Sequence, residues 1–234
     1  MEAIRNETVA LFGDSLGKGV FWNERRHRYA YCGLNAADVA AQKLGVTVVN
    51  RAKFGLTAPQ GLDVLDGALS AGLRCDAAVI EFGGNDCNFH WEEISAAPQA
   101  RHEPATAPDT FEHTLRCMIR RLTESGVRPI LATLPPINAE RYFRFLVGDR
   151  LNAANILRWL GDVQQIYRFQ EMYSHIVERA AREMKTQLLD LRVRCLAQPR
   201  FTADMLCMDG LHMNEEGQAF VGGQIADMVE HGET

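Results

Sequence analysis

A short apolar run, Val9-Ala10-Leu11-Phe12, halts at Gly13-Asp14-Ser15-Leu16-Gly17, and this junction narrows the folds open to the chain. Four apolar residues stopped by a glycine are too few for a helix. A run without alternation suits a strand covered on both faces, as in a parallel sheet. The turn that follows presents one hydroxyl, Ser15, at the strand's C-terminal edge, where open α/β sheets bind ligands. A serine in this position also serves as a plain cap for the next segment, so the rest of the chain has to decide between the two roles.

The same pattern recurs downstream. Asn35 to Leu44 is rich in helix formers and closed by Gly45, which makes it the first crossover helix. Val46-Thr47-Val48-Val49-Asn50 is β-branched and reads as the second strand, so Gly55 falls just past a strand end. Pro59 suits a helix first turn, and Leu62, Leu65, Ala68 and Leu69 follow at helical spacing. Asp76 to Phe82 is the third strand, halted by Gly83-Gly84-Asn85-Asp86, so Asn85 occupies the equivalent position again. Pro129 to Leu134 and Leu188 to Leu191 read as the fourth and fifth strands.

Between these strands, Asp109 with Glu112 has capping-box spacing ahead of the apolar face Phe111, Leu115, Met118, Ile119 and Leu122. Asp162 with Gln165 repeats it before a long helix carrying Ile166, Phe169, Tyr173, Ile176 and Val177, and Asn214 caps the last helix. Phe21 to Tyr31 is a polar, aromatic stretch, and 87–108 reads as a long surface loop. Segment 137–161 fits either a lid over the site or an amphipathic segment packed on the core. Strand and helix alternate throughout, which predicts an α/β chain. The expected architecture is a three-layer α/β/α sandwich around a flavodoxin-like, five-stranded, mainly parallel sheet, forming one domain over 1–234.

Composition excludes several function classes. The net charge of −5, with no long run of Lys and Arg, argues against a nucleic-acid partner. Met1 to Glu7 carries charges where a signal peptide needs an apolar core, and no apolar stretch approaches membrane-spanning length. A cytoplasmic chain without membrane insertion is expected. Cys32, Cys75, Cys87, Cys117, Cys195 and Cys207 are scattered, as free thiols in a reducing compartment would be. Neither Cys87 near His90 nor Cys207 near His212 belongs to a C-x-x-C or H-E-x-x-H pattern, so no metal and no cofactor is expected.

Two familiar motifs fall short at Gly13–Gly17. A phosphate-binding loop needs four residues between its first glycine and a Gly-Lys pair, whereas Asp14, Ser15 and Leu16 supply three and Gly19 follows Lys18. The G-x-S-x-G spacing fits the α/β-hydrolase elbow, but that elbow follows strands already laid down, and only a dozen residues precede this one. The stretch instead resembles the GDSL or SGNH hydrolase family. The resemblance is carried also by Gly55, by Gly84-Asn85-Asp86 and by Asp209-Gly210-Leu211-His212, and it runs from Phe12 to Gln218.

That resemblance implies Ser15 as nucleophile, His212 as base and Asp209 as the carboxylate that orients it. It also implies that the Ser15 N–H, the Gly55 N–H and the Asn85 amide form an oxyanion hole. The chemistry needs these types: a hydroxyl requires a base within hydrogen-bond reach, and donors must already point at the charge that develops. Asp86 is implied as a loop-forming partner, and Met213 stands where many relatives carry proline. The remaining histidines, such as His90, lack this context. The expected function is a serine esterase or acylhydrolase cleaving short-chain carboxylic esters of small molecules through an acyl-enzyme on Ser15, O-acetyl groups on a carbohydrate being one candidate. The alternatives are an acyl-thioesterase or lysophospholipase on longer chains, and a non-catalytic ligand-binding protein that retains the fold. Trp91, Tyr142, Phe143 and Trp159 are candidates for a substrate pocket, with core packing as the alternative for each.

Overall fold

The computed structural model describes residues 6–233; the charged start, Met1 to Arg5, and Thr234 lie outside them. In chain order the elements are β1 (Thr8–Gly13), α1 (Ser15–Lys18), β2 (Val20–Asn23), β3 (Arg28–Tyr31), α2 (Ala36–Leu44), β4 (Thr47–Asn50), α3 (Ala58–Ser70), β5 (Ala77–Glu81) and α4 (Trp91–Ala96). They continue with α5 (Pro108–Glu124), β6 (Arg128–Ala132), α6 (Ala139–Val147), α7 (Ala153–Leu160), α8 (Gln165–Met184), β7 (Gln187–Leu189), α9 (Leu191–Ala197), α10 (Phe201–Asp204) and α11 (Glu215–His231).

Five of the strands form one sheet in the order β4-β1-β5-β6-β7, and every pair in it is parallel. The chain leaves β1 toward one edge and returns past it to build the other, so the topological switch lies between β1 and β5. A crevice opens there at the strands' C-terminal ends. The absence of alternation in β1 has a direct cause, since both faces of the strand are covered. Ala10 and Phe12 join a core with Ala78, Ile80 and Leu131 under α3, α5 and α8. Val9 packs on the opposite face with Ala77, Val79 and Ile130, toward α11. Burial of a side chain such as Phe12, only 1% exposed, stabilises the fold by about 2–3 kcal/mol.

Four local readings of the sequence need correction. The polar, aromatic stretch from Phe21 to Tyr31, given no element in the sequence, holds two strands: β2 and β3 form an antiparallel hairpin in which Trp22 sits opposite Tyr29, their rings 5.1 Å apart. No Asn-Gly pair marks its turn, where His27 takes a left-handed φ of 45° instead. Segment 87–108 is not simply a surface loop, because it contains α4 and buries Cys87, Phe89, Trp91 and Ile94. The Ser95 carbonyl accepts from Asn155 Nδ2 at 2.7 Å, tying α4 to α7.

Neither anticipated capping box closes. α5 begins at Pro108 after Ala107, and Glu112 turns to Arg116 at 2.7 Å and to Arg179. Asp162 accepts from Gln164 N at 3.0 Å, but Gln165 Oε1 accepts from Arg168 instead of reaching back. In both cases an arginine takes the side chain expected to reach back to the cap. The fifth strand ends at Leu189, one residue before Asp190 accepts from Val193 N and starts α9.

Candidate active site

Each residue expected at the site has a local reason for its place. β1 ends at Gly13, and Asp14, not Ser15, is the cap of α1, accepting from Leu16 N at 2.9 Å. Ser15 is thereby left as the first helical residue with its hydroxyl unneeded by the turn. At the other end of the chain, Leu206 and Met213 form an antiparallel bridge, Cys207 N donates to His212 O at 2.8 Å, and Asn214 N donates to Met205 O at 3.0 Å. Met213 is buried and braces this loop. Asn214 then caps α11 by accepting from Gly217 N at 2.9 Å.

The two ends meet although 197 residues separate them: His212 Nε2 lies 2.9 Å from Ser15 Oγ. His212 Nδ1 lies 2.6 Å from Asp209 Oδ2, while Asp209 Oδ1 accepts from Leu211 N at 3.0 Å and His212 N at 3.1 Å. All three side chains are buried. Burial alone would push the Asp209 carboxyl up, but the His212 hydrogen bond and charge, with the two backbone donors, outweigh it and hold the group below the usual carboxylate range. Asp209 therefore stays ionised beside the ring it orients.

Among the described residues Ser15 N and Gly55 N have no hydrogen-bond acceptor, and both residues line the cavity above the serine. Gly55 has a φ of +80°, and a Cβ there would meet nothing within 4 Å, so glycine answers to backbone conformation and not to crowding. Asn85 is differently placed. Its Nδ2 donates to Asp14 Oδ2 and to Leu56 O, both at 3.0 Å, so both amide protons are engaged. A third donor to a substrate oxygen requires one of these contacts to be exchanged.

Beneath these loops lie three buried carboxyl groups, Asp14, Glu81 and Asp86. Asp86 accepts from Ala58 N through both oxygens, at 2.9 and 3.1 Å, and so ties the loop after β5 to the start of α3. Burial is the largest influence on all three: it pushes Asp14 and Asp86 each up to about 6, and Glu81 well above the usual range. The folded state holds protons that the unfolded chain releases, so this stability is complete below about 4 and lost as pH rises through about 6. For Asp14 and Asp86 the loss is on the order of 3 kcal/mol each. Thermal unfolding should therefore give a Tm at pH 5 at least about 5 °C above that at pH 7.5. A flat or rising Tm across that interval would show that these groups are not buried as described.

The cavity over Ser15 measures about 600 Å³. Gly55, Asn85 and His212 share its floor, and Phe89, Trp91, Tyr142, Phe145, Ile166 and Phe169 form apolar walls. Trp91 and Tyr142 thus reach the cavity, Trp91 Nε1 donating to Asn88 Oδ1 at 2.7 Å. Phe143 and Trp159 pack instead around the buried group of Ile94, Ile156 and Leu160, Trp159 lying 4.9 Å from Phe89. The amphipathic spacing could not tell which rings of 137–161 turn inward. Sequence reasoning missed Tyr29 and Phe54, whose rings lie 5.0 and 6.2 Å from that of His212. Their only signal was the aromatic content of the Phe21 to Tyr31 stretch and of the segment that follows the second strand. His90 is exposed. Among the described residues no group of three or more metal-ligating side chains gathers, and no helix is long and apolar enough to cross a membrane.

The model of the GDSL-like lipase/acylhydrolase family matches residues 11–220 of the chain. Among curated proteins, none matches it. Solved structures of similar fold include a lipase/acylhydrolase from Enterococcus faecalis, at 19% identity over 96% of each chain with a TM-score of 0.65. A carbohydrate acetylesterase from Sinorhizobium meliloti aligns at 18% identity over 97% of this chain and 99% of that one, with a TM-score of 0.68. A catalytic mutant of an acetylxylan esterase from Geobacillus stearothermophilus aligns at 17% over 97% and 96%, with a TM-score of 0.63. At these identities the likeness speaks for the fold.

Proposed function

The chain belongs to the GDSL-like lipase/acylhydrolase family and is a serine ester hydrolase of that type, and from this premise we propose that it cleaves carboxylic esters through an acyl-enzyme on Ser15. One observation carries the reading: the unbroken line of hydrogen bonds from Asp209 through both nitrogens of His212 to Ser15 Oγ. His212 Nε2 takes the proton as Oγ attacks the ester carbonyl, and Asp209 stabilises the imidazolium that results. The negative charge on the carbonyl oxygen is met by the unengaged N–H groups of Ser15 and Gly55, and Asn85 joins them by giving up Leu56 O. His212 then protonates the departing alcohol. A water molecule, deprotonated by the same nitrogen, releases the acid and restores Ser15.

Short-chain esters are the first substrates in this reading, with O-acetyl groups on a carbohydrate as one candidate. Aromatic walls at Trp91 and Tyr142 offer a surface for a sugar ring. The cavity's 600 Å³ and its apolar lining favour a second reading, in which a longer acyl chain lies along Phe145, Leu146 and Ile166. p-Nitrophenyl esters from acetate to palmitate separate the two. If the chain lies there, Leu146→Trp should lower kcat/KM for octanoate by about 10-fold or more and for acetate by less than about 3-fold. Equal effects on both would leave the cavity to the alcohol part of the substrate. Six free cysteines, Cys87, Cys195 and Cys207 among them buried, support a cytoplasmic setting for this chemistry.

A further inference from the structure

Glu81 stands where an apolar residue would be expected, at the end of the central strand β5 and only 6% exposed. It pairs with Gly13 in the sheet, which brings its carboxyl under the turn that carries Ser15. Glu81 Oε2 accepts from Gly17 N at 3.1 Å and from Asp14 N at 3.4 Å, while Oε1 has no hydrogen-bond partner among the described residues. The first-turn amides of α1 are thus shared out. Leu16 N goes to Asp14, Gly17 N goes to Glu81, and Ser15 N remains unengaged.

The carboxyl also explains the glycines on either side of Asp14-Ser15-Leu16. A Cβ on Gly13 would come within 2.7 Å of Glu81 Oε2, and one on Gly17 within 3.1 Å. Both glycines make room for the same oxygen. We propose that Glu81 is a positioning residue: by holding the Asp14 and Gly17 amides from below, it fixes the turn so that the Ser15 hydroxyl faces His212 and the Ser15 N–H faces the substrate oxygen. Burial, the largest influence on the group, pushes it well above the usual carboxylate range. Oε2 acts only as an acceptor, for two N–H donors, a role an amide oxygen also fills.

The inference rests on the acyl-enzyme reading, and its test separates the two. Wild type, Glu81→Gln and Glu81→Leu are compared in steady-state hydrolysis of p-nitrophenyl acetate and in hydrogen exchange of the 14–18 segment, with Tm measured for each. Glu81→Gln keeps the acceptor and should retain kcat within about 3-fold, whereas Glu81→Leu should lower kcat by about 10- to 100-fold with KM changed less than about 3-fold. Exchange at Gly17 should quicken in Glu81→Leu alone. A Glu81→Leu protein with wild-type kcat and wild-type exchange would overturn the proposal, as would a Glu81→Gln protein that stays folded yet loses as much activity as Glu81→Leu. Should the wild type leave the ester untouched, the acyl-enzyme reading fails by itself, and the exchange rates at Gly17 still decide whether Glu81 holds the turn.

Discussion

Ser15→Ala should lower kcat for ester hydrolysis by about 10⁵-fold or more while the protein stays folded. The size follows from what one oxygen does. Among the described residues Ser15 Oγ bonds only to His212 Nε2, and Asp14, not Ser15, caps α1, so removing the hydroxyl leaves the turn intact. Tm should stay within about 2 °C of wild type. Any residual rate would come from binding and the backbone donors alone, which act without a nucleophile. Steady-state kinetics on p-nitrophenyl acetate, with the Tm of both proteins, checks the point. A variant with a tenth of wild-type kcat would place the nucleophile elsewhere.

The second large effect is expected at Asp209. Asp209→Asn is nearly isosteric, yet it should lower kcat by about 10³- to 10⁴-fold. The carboxylate accepts at both oxygens: Oδ2 faces His212 Nδ1, and Oδ1 takes the Leu211 and His212 amides. An asparagine has one acceptor oxygen. If that oxygen keeps the backbone amides, the NH₂ group faces Nδ1 and forces the proton onto Nε2, where the base must be free. If it turns to the ring, two buried N–H groups lose their acceptor and the loop loosens. The first arrangement disables the base, while the second removes the negative charge that stabilises the imidazolium and also lowers Tm. The rate should fall far more than KM rises. A kcat within tenfold of wild type would mean that Asp209 serves the loop and not the reaction.

Much of this geometry was legible because parallel topology turns strand ends into a site. Ser15, Gly55 and Asn85 were each readable as the residue past a halted apolar run, and a sheet ordered β4-β1-β5 brings those three ends together. Asp209 and His212 were readable as a pair only through the resemblance carried by Asp209-Gly210-Leu211-His212. The sequence was silent where tertiary partners decide. Glu81 looked like one charge inside an apolar strand, and only the Gly13 register shows what it holds. Asn85 was legible as a residue but not in its engagement with Asp14 and Leu56, since both partners lie on other loops. Tyr29 reached His212 through a hairpin with no turn signature, and Phe143 and Trp159 turned into the packing around Ile156, to which α4 contributes Trp91 and Ile94. Local caps failed at Asp109 for a related reason: Pro108 started the helix first, and Glu112 found two arginines.

The most direct measurement is the covalent state of Ser15 during turnover. Wild-type protein mixed with p-nitrophenyl acetate, quenched in acid and digested, should carry an acetyl group on the peptide containing Ser15 and on no other, and His212→Ala should form that adduct far more slowly. An enzyme that hydrolyses the ester while this peptide stays unmodified, or that carries the acetyl group on a different residue, would contradict the acyl-enzyme on Ser15.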